Sequence, residues 1–115
     1  MAKKRSNDVD VLIKTHRDKM GGHPHVIIET IENKHVSVGL STHKKPGCSS
    51  TSTNYFLEKN PLQDGKTSYM RRQGTVDYKR NYENPRRGIM TPNDYERAKT
   101  YGERVKLKHF NKQKK

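Results

Sequence analysis

The clearest alternation of apolar and polar positions along this chain falls at residues 25–40. His25 to Thr30 (HVIIET) is rich in β-branched side chains, which suit a pleated, half-buried surface. His35 to Leu40 (HVSVGL) alternates, with Val36, Val38 and Leu40 on one face. Ile31 to Lys34 (IENK) lies between and supplies turn residues, so the pattern predicts a β-hairpin. Upstream, Val9 to Ile13 (VDVLI) predicts a short strand. Thr15 to His23 is polar and closes on Gly21-Gly22, a turn signal.

Beyond the hairpin the periodicity weakens. Lys44 to Asn54 holds Pro46, Gly47 and a Ser/Thr run, and reads as a loop. Tyr55-Phe56-Leu57 predicts a third strand, Asn60-Pro61 and Asp64-Gly65 predict turns, and Thr67 to Arg72 predicts a fourth strand. Gly74 to Arg87 has too little apolar content for either period and reads as irregular. The last element is a helix. Thr91 suits its N-cap, Pro92 its first position, and Asp94 the capping box. Tyr95, Ala98, Val105, Tyr101 and Leu107 lie near one face of it. Gly102 weakens it by about 1 kcal/mol relative to Ala. The expected fold class is mainly β with a C-terminal helix, α+β. The expected organisation is a basic arm at 1–8, one small domain at 9–108 and a basic tail at 109–115.

Composition sharpens this picture. Only 28% of the 115 residues are hydrophobic and the mean hydropathy is -1.25, so the core must be small and the stability marginal. There are 25 Lys and Arg against 12 Asp and Glu, a formal net charge of +13. Such an excess draws anions, and for a short basic chain the expected partner is RNA or another nucleic acid. No apolar run approaches the roughly 18–20 residues that span a bilayer, and no signal-peptide core follows the basic start, so no membrane partner is expected. Cys48 is the single cysteine; an internal disulfide is impossible, which fits the cytoplasm.

Gly39 to Lys45 (GLSTHKK) is the first candidate for chemistry. Two hydroxyls, an imidazole and two ammonium groups follow a strand end. RNA cleavage through the 2′-hydroxyl needs a proton acceptor, cations on the phosphate and an acid for the leaving oxygen. Ser41, Thr42, His43, Lys44 and Lys45 carry groups of all three kinds, and an imidazole serves as acid or base. The same residues also suit a polar strand end running into a solvated loop. Gly22 to His25 (GHPH) presents two histidines about a proline, but no cysteine or carboxylate cluster accompanies it at zinc spacing, and neither a metal nor a cofactor is expected.

Arg71, Arg72, Lys79, Arg80, Arg86 and Arg87 are interleaved with Tyr69, Tyr78 and Tyr82. Guanidinium forks grip phosphate and ring faces stack on unpaired bases, so these residues are candidates for nucleic-acid contact. The competing reading is a solvated basic loop with its tyrosines folded onto the core. Arg97, Lys99, Arg104, Lys106 and Lys108 make the outer side of the helix basic. There is no P-loop, no dinucleotide fingerprint, no catalytic carboxylate pair, no zinc finger and no RNP signature.

His23 to Lys45 (HPHVIIETIENKHVSVGLSTHKK) resembles the core of the PemK/MazF-like toxins, and is closest in style to the ToxN-type endoribonucleases of type III toxin–antitoxin systems. Those proteins end the second hairpin strand in a Thr-Ser-Pro-Lys-like segment, which Leu40-Ser41-Thr42-His43-Lys44 matches approximately, with His43 where the family often has proline. The resemblance implies a small, partly open, SH3-like β-barrel. It implies metal-independent cleavage of single-stranded RNA and an antitoxin partner, RNA or protein. Ser41 and Thr42 would lie on the scissile phosphate, with His43 as acid or base, Lys44 as charge stabiliser, and His25 assisting from the facing strand. The alternative is a non-catalytic nucleic-acid-binding protein or a protein-docking adaptor or inhibitor of the kind carried by a phage or mobile element.

Overall fold

The computed structural model describes residues 7–18, 21–43, 53–65 and 69–111. Among these residues six strands form one antiparallel sheet: β1 (Val9–Asp18), β2 (Gly21–Ile31), β3 (Lys34–Ser41), β4 (Tyr55–Phe56), β5 (Tyr69–Tyr78) and β6 (Tyr82–Met90). A single-turn 3-10 helix at Lys79–Asn81 joins the last two, and α1 (Pro92–Asn111) follows. The strand order is β4-β5-β3-β2-β1-β6, an open sheet. The chain is therefore mainly β with a C-terminal helix, as its pattern predicts.

The expected hairpin is β2–β3, with Ile31 opposite Lys34 across the Glu32-Asn33 turn. Val36, Val38 and Leu40 are all buried on one face. Two expectations are overturned. β1 runs on through the polar stretch to Asp18 and pairs with β2 up to Gly21, so Thr15 to Asp18 is strand. Residues 74–87 are not irregular: they hold half of β5 and most of β6. Their pattern hid this because Glu83 to Arg87 is exposed on an outermost strand, where no apolar alternation is needed. Pro85, Arg86 and Arg87 also suit such an edge, since proline and charge discourage pairing with another chain.

The sheet is strongly curled. β5 and β6 stand four places apart, which in a flat sheet is about 19 Å. Only three residues join them, and four peptide steps reach at most about 14 Å. Register shifts at Ile13/Thr15, Ile27/Glu29 and Val38/Leu40 mark bulges in adjacent pairings, and bulges bend strands and raise twist. The link itself is anchored where the Lys79 amide donates to the Asn33 carbonyl at 2.8 Å.

One face carries the apolar core: Val11, Ile13, Val26, Val38, Leu40, Met70 and Met90, covered by Ala98 and Tyr101 of α1 and by Leu57. α1 starts as its sequence predicts, with the Asp94 amide donating to Thr91 Oγ1 at 3.2 Å. The Asp94 carboxylate, however, does not reach back to complete the expected box. It is buried, and it accepts from the Glu58 amide at 2.8 Å, the Lys59 amide at 3.3 Å and the Tyr55 hydroxyl at 3.2 Å. It thereby pins the segment after β4 to the start of the helix, while burial pushes its carboxyl above the usual range.

The folded unit also reaches past its expected ends. Asp8 is buried and accepts from Lys59 Nζ at 2.6 Å, and α1 continues through Asn111. Among the described residues no helix is long and apolar enough to cross a membrane.

Candidate functional site

The sheet face opposite α1 is polar. Cross-strand partners place Lys14 and His16 of β1, His23 and His25 of β2, and His35, Ser37 and Gly39 of β3 on it, with Asp77 of β5 and Tyr82 of β6. His16, His25, His35, Ser37 and Tyr82 are all buried there. Buried polar groups need partners, and these form a chain across the curl. Tyr82 OH and Ser37 Oγ are 2.8 Å apart, and Ser37 Oγ is 3.0 Å from His25 Nδ1. The His16 ring packs 4.7 Å from the Tyr82 ring and 4.9 Å from the His25 ring.

Protonation states follow from the partners. Lys14 Nζ lies 3.0 Å from His35 Nε2, and an ammonium only donates, so that nitrogen accepts. His35 Nδ1 then carries the hydrogen and donates to Thr30 Oγ1 at 2.8 Å. The ring is neutral. Burial lowers its pKa from 6.5, and the Lys14 and Lys79 charges lower it further. His16 Nε2 donates to Asp77 Oδ2 at 2.7 Å. Asp77 Oδ1 also accepts from the Tyr78 amide at 2.7 Å and Asn81 Nδ2 at 2.8 Å, clamping the 3-10 turn. Burial alone raises the Asp77 pKa, but these three bonds outweigh it and hold the carboxyl below its ordinary range. Burial pushes the Tyr82 phenol up to about 12, so it stays neutral.

Along β3 this face leads from Ser37 through Gly39 to Ser41. A Cβ on Gly39 would lie 3.2 Å from His25 Nε2 and 3.3 Å from Arg71 Cδ. The missing side chain lets an imidazole and an exposed arginine stem flank one backbone position. Gly39 is itself buried beneath these two side chains, and His25 is only 4% exposed.

The other expected catalytic residues gather less closely. Ser41 is half-buried at the end of β3, and its Oγ accepts from the His43 amide at 3.0 Å, a local turn. Thr42 and His43 are exposed. Asn54 Nδ2 donates to the His43 carbonyl at 2.9 Å, tying this turn to the residue before β4. Lys44 and Lys45, with Cys48, lie outside the described residues. Among the described residues no group of three or more histidine, cysteine, aspartate or glutamate side chains is arranged to hold a metal ion.

Of the expected nucleic-acid contacts, Arg71, Lys79, Arg80, Arg86 and Arg87 are exposed. Tyr78 is 37% exposed, with Arg80 Cζ 4.5 Å and Lys34 Nζ 5.1 Å from its ring centre. Arg72 is held on the helix side, donating to the Thr53 carbonyl at 2.6 Å and the Tyr101 hydroxyl at 3.3 Å. Tyr82 is the correction: at 7% exposure, with the rings of His16, His25 and His35 around it, it offers no platform to a base.

Residue types alone did not single out Ser37, His16, His35 or Asp77. The i, i+2 spacing of Lys14 and His16 on β1 and of His35 and Ser37 on β3 was the available signal, and Asp77 on β5 had none; only the curl shows that they meet. Comparison of the chain with family models, with curated proteins and with solved structures finds no match.

Proposed function

We propose that this protein binds single-stranded RNA along the polar face and its β5–β6 link, on an SH3-like, partly open barrel. A meander whose last strand returns beside the first, as β6 does beside β1, supports that scaffold. The observation that carries the binding is charge. Among the described residues Arg71, Lys79, Arg80, Arg86 and Arg87 are exposed and make no ion pair with a carboxylate. Uncompensated cations in such number have their natural counterpart in a row of phosphates.

A second reading adds metal-independent cleavage, and the convergence of His25 and Arg71 on Gly39 favours it. A phosphodiester drawn to the exposed Arg71 would reach His25 Nε2 if the arginine stem swung off Gly39. His25 would take the 2′-hydroxyl proton as the 2′ oxygen bonds to phosphorus, the bond to the 5′ oxygen would break, and solvent would protonate the leaving group. Ser37, backed by Tyr82, orients the ring through Nδ1.

One experiment separates the two. The pure protein is incubated with single-stranded RNA in EDTA, and both bound fraction and cut products are followed. Cleavage should be lost in Gly39→Ala, whose methyl pushes His25 and Arg71 apart, while binding persists. Binding without any product leaves the non-catalytic reading standing; absence of binding at low salt removes both.

A further inference from the structure

We infer that the recess at the β4–β5 rim is a nucleobase subsite, taking one unpaired base of the RNA whose phosphates the cationic face holds. This rests on the RNA-binding reading and specifies where a base would sit.

The recess has a volume of about 350 Å³, at the small end of ligand sites, and is lined by Thr53, Asn54, Phe56, Tyr69 and Arg72. Phe56 is 67% exposed, the most exposed large apolar side chain among the described residues. It does not turn into the core, although Leu57 beside it does. Its ring instead sits 5.4 Å from that of Tyr69 at a tilt of 47°. Two rings so inclined, Phe56 exposed and Tyr69 half-buried, make a shallow wedge whose outer side can take a flat ring. At the recess wall the Arg72 guanidinium is fixed by the Thr53 carbonyl and the Tyr101 hydroxyl. A fixed guanidinium beside an aromatic wedge suits a planar, anionically tethered ligand better than an aliphatic side chain or an acyl chain.

Position supplies the second argument. Tyr69 pairs directly with Ser41 across β5 and β3, and Asn54 holds the His43 carbonyl. The recess therefore adjoins the Ser41–His43 turn, on the strand that also carries Arg71. A chain whose phosphate rests near Arg71 has a base within reach of this wedge. Stacking accepts every base, so the subsite adds affinity and register without demanding one sequence.

The test compares a short fluorescent single-stranded RNA with a ribose–phosphate oligomer of equal length that lacks bases. Wild-type protein should bind the RNA more tightly. Phe56→Ala and Phe56→Leu should each weaken RNA binding by about 5- to 100-fold and leave the abasic oligomer unchanged, and Phe56→Trp should restore RNA binding. Thermal midpoints close to that of wild type show that the variants fold, as expected for so exposed a side chain. If the variants bind RNA like wild type, or wild type binds both oligomers equally, the subsite is overturned while phosphate binding stands. If wild type binds neither oligomer, the RNA-binding reading falls first and takes the subsite with it.

Discussion

Ser37 of β3 and Tyr82 of β6 have two strands between them in the sheet, yet their hydroxyls meet at 2.8 Å. In a flat sheet their strands would stand about 14 Å apart. The bond ties the middle of the meander to its last strand and passes on to His25. Ser37→Ala removes a bond from two buried partners, and should cost about 2–4 kcal/mol; Tyr82→Phe removes one, and should cost about 1–2 kcal/mol. Both are read from urea unfolding. Because each single change breaks the shared bond, the double variant should lose less than the sum. Strict additivity would show that the two hydroxyls are not coupled.

His35 sets an expected pH dependence. Its folded pKa lies below the unfolded value of 6.5, chiefly through burial and then through Lys14 and Lys79. Between the two values the unfolded chain binds the proton and the fold does not, so stability rises with pH. The advantage is complete above 6.5 and is lost as pH falls through that value toward the folded one. Urea midpoints taken from pH 8 to pH 5 should therefore fall, and the fall should be smaller in Lys14→Met, which removes one charge holding the ring neutral. An unchanged slope in that variant would contradict the role given to Lys14.

The hairpin was legible because one of its faces is apolar at every second residue, so period and burial coincide at Val36, Val38 and Leu40. The start of α1 was legible because capping is local chemistry, settled between Thr91 and Asp94. β6 was not. Its side chains from Glu83 to Arg87 face solvent, and what holds the strand is its pairing with β1, residues far away in sequence. Of the candidate site, His25 and Arg71 were named from residue type for separate reasons. That they converge on one backbone position depends on Gly39, a residue with no side chain to read. Phe56 lies in the strand that its sequence predicts, yet its side chain is mostly exposed.

Two glycines where α1 packs on the sheet, Gly102 in the helix and Gly74 in β5, should respond differently to a methyl group. At Gly102 a Cβ would lie 3.2 Å from Ile28 Cγ1, a side chain able to shift by a few tenths of an ångström. The helix propensity gained by alanine, up to about 1 kcal/mol, works against that crowding. Gly102→Ala should be close to neutral, and the expected weak point of the helix is where it crosses β2 most closely. At Gly74 a Cβ would lie 2.7 Å from Val105 Cγ1 and 3.0 Å from the Tyr101 carbonyl oxygen, which is backbone of α1. Gly74→Ala must lift the helix, and should cost about 1–3 kcal/mol. Denaturant midpoints of the two variants check the contrast; a neutral Gly74→Ala would mean that α1 does not seat on β5 this closely.

The cationic face can be told apart from the cationic helix by salt. Each phosphate contact on a single strand contributes about 0.7 to the slope of log affinity against log salt concentration, because counterions are released from the nucleic acid. Arg71 and Arg80 lie on and beside β5, while Lys99 and Lys108 are exposed on α1. If RNA runs along the polar face, Arg71→Gln and Arg80→Gln should each lower that slope by about 0.7 and weaken binding most at low salt. Lys99→Gln and Lys108→Gln remove the same charge from the molecule without removing a contact. They should shift affinity only slightly, through the long-range field, and leave the slope unchanged. Equal slopes lost at all four positions would mean that net charge, not a defined face, does the binding. A loss confined to Lys99 and Lys108 would move the interface to the helix.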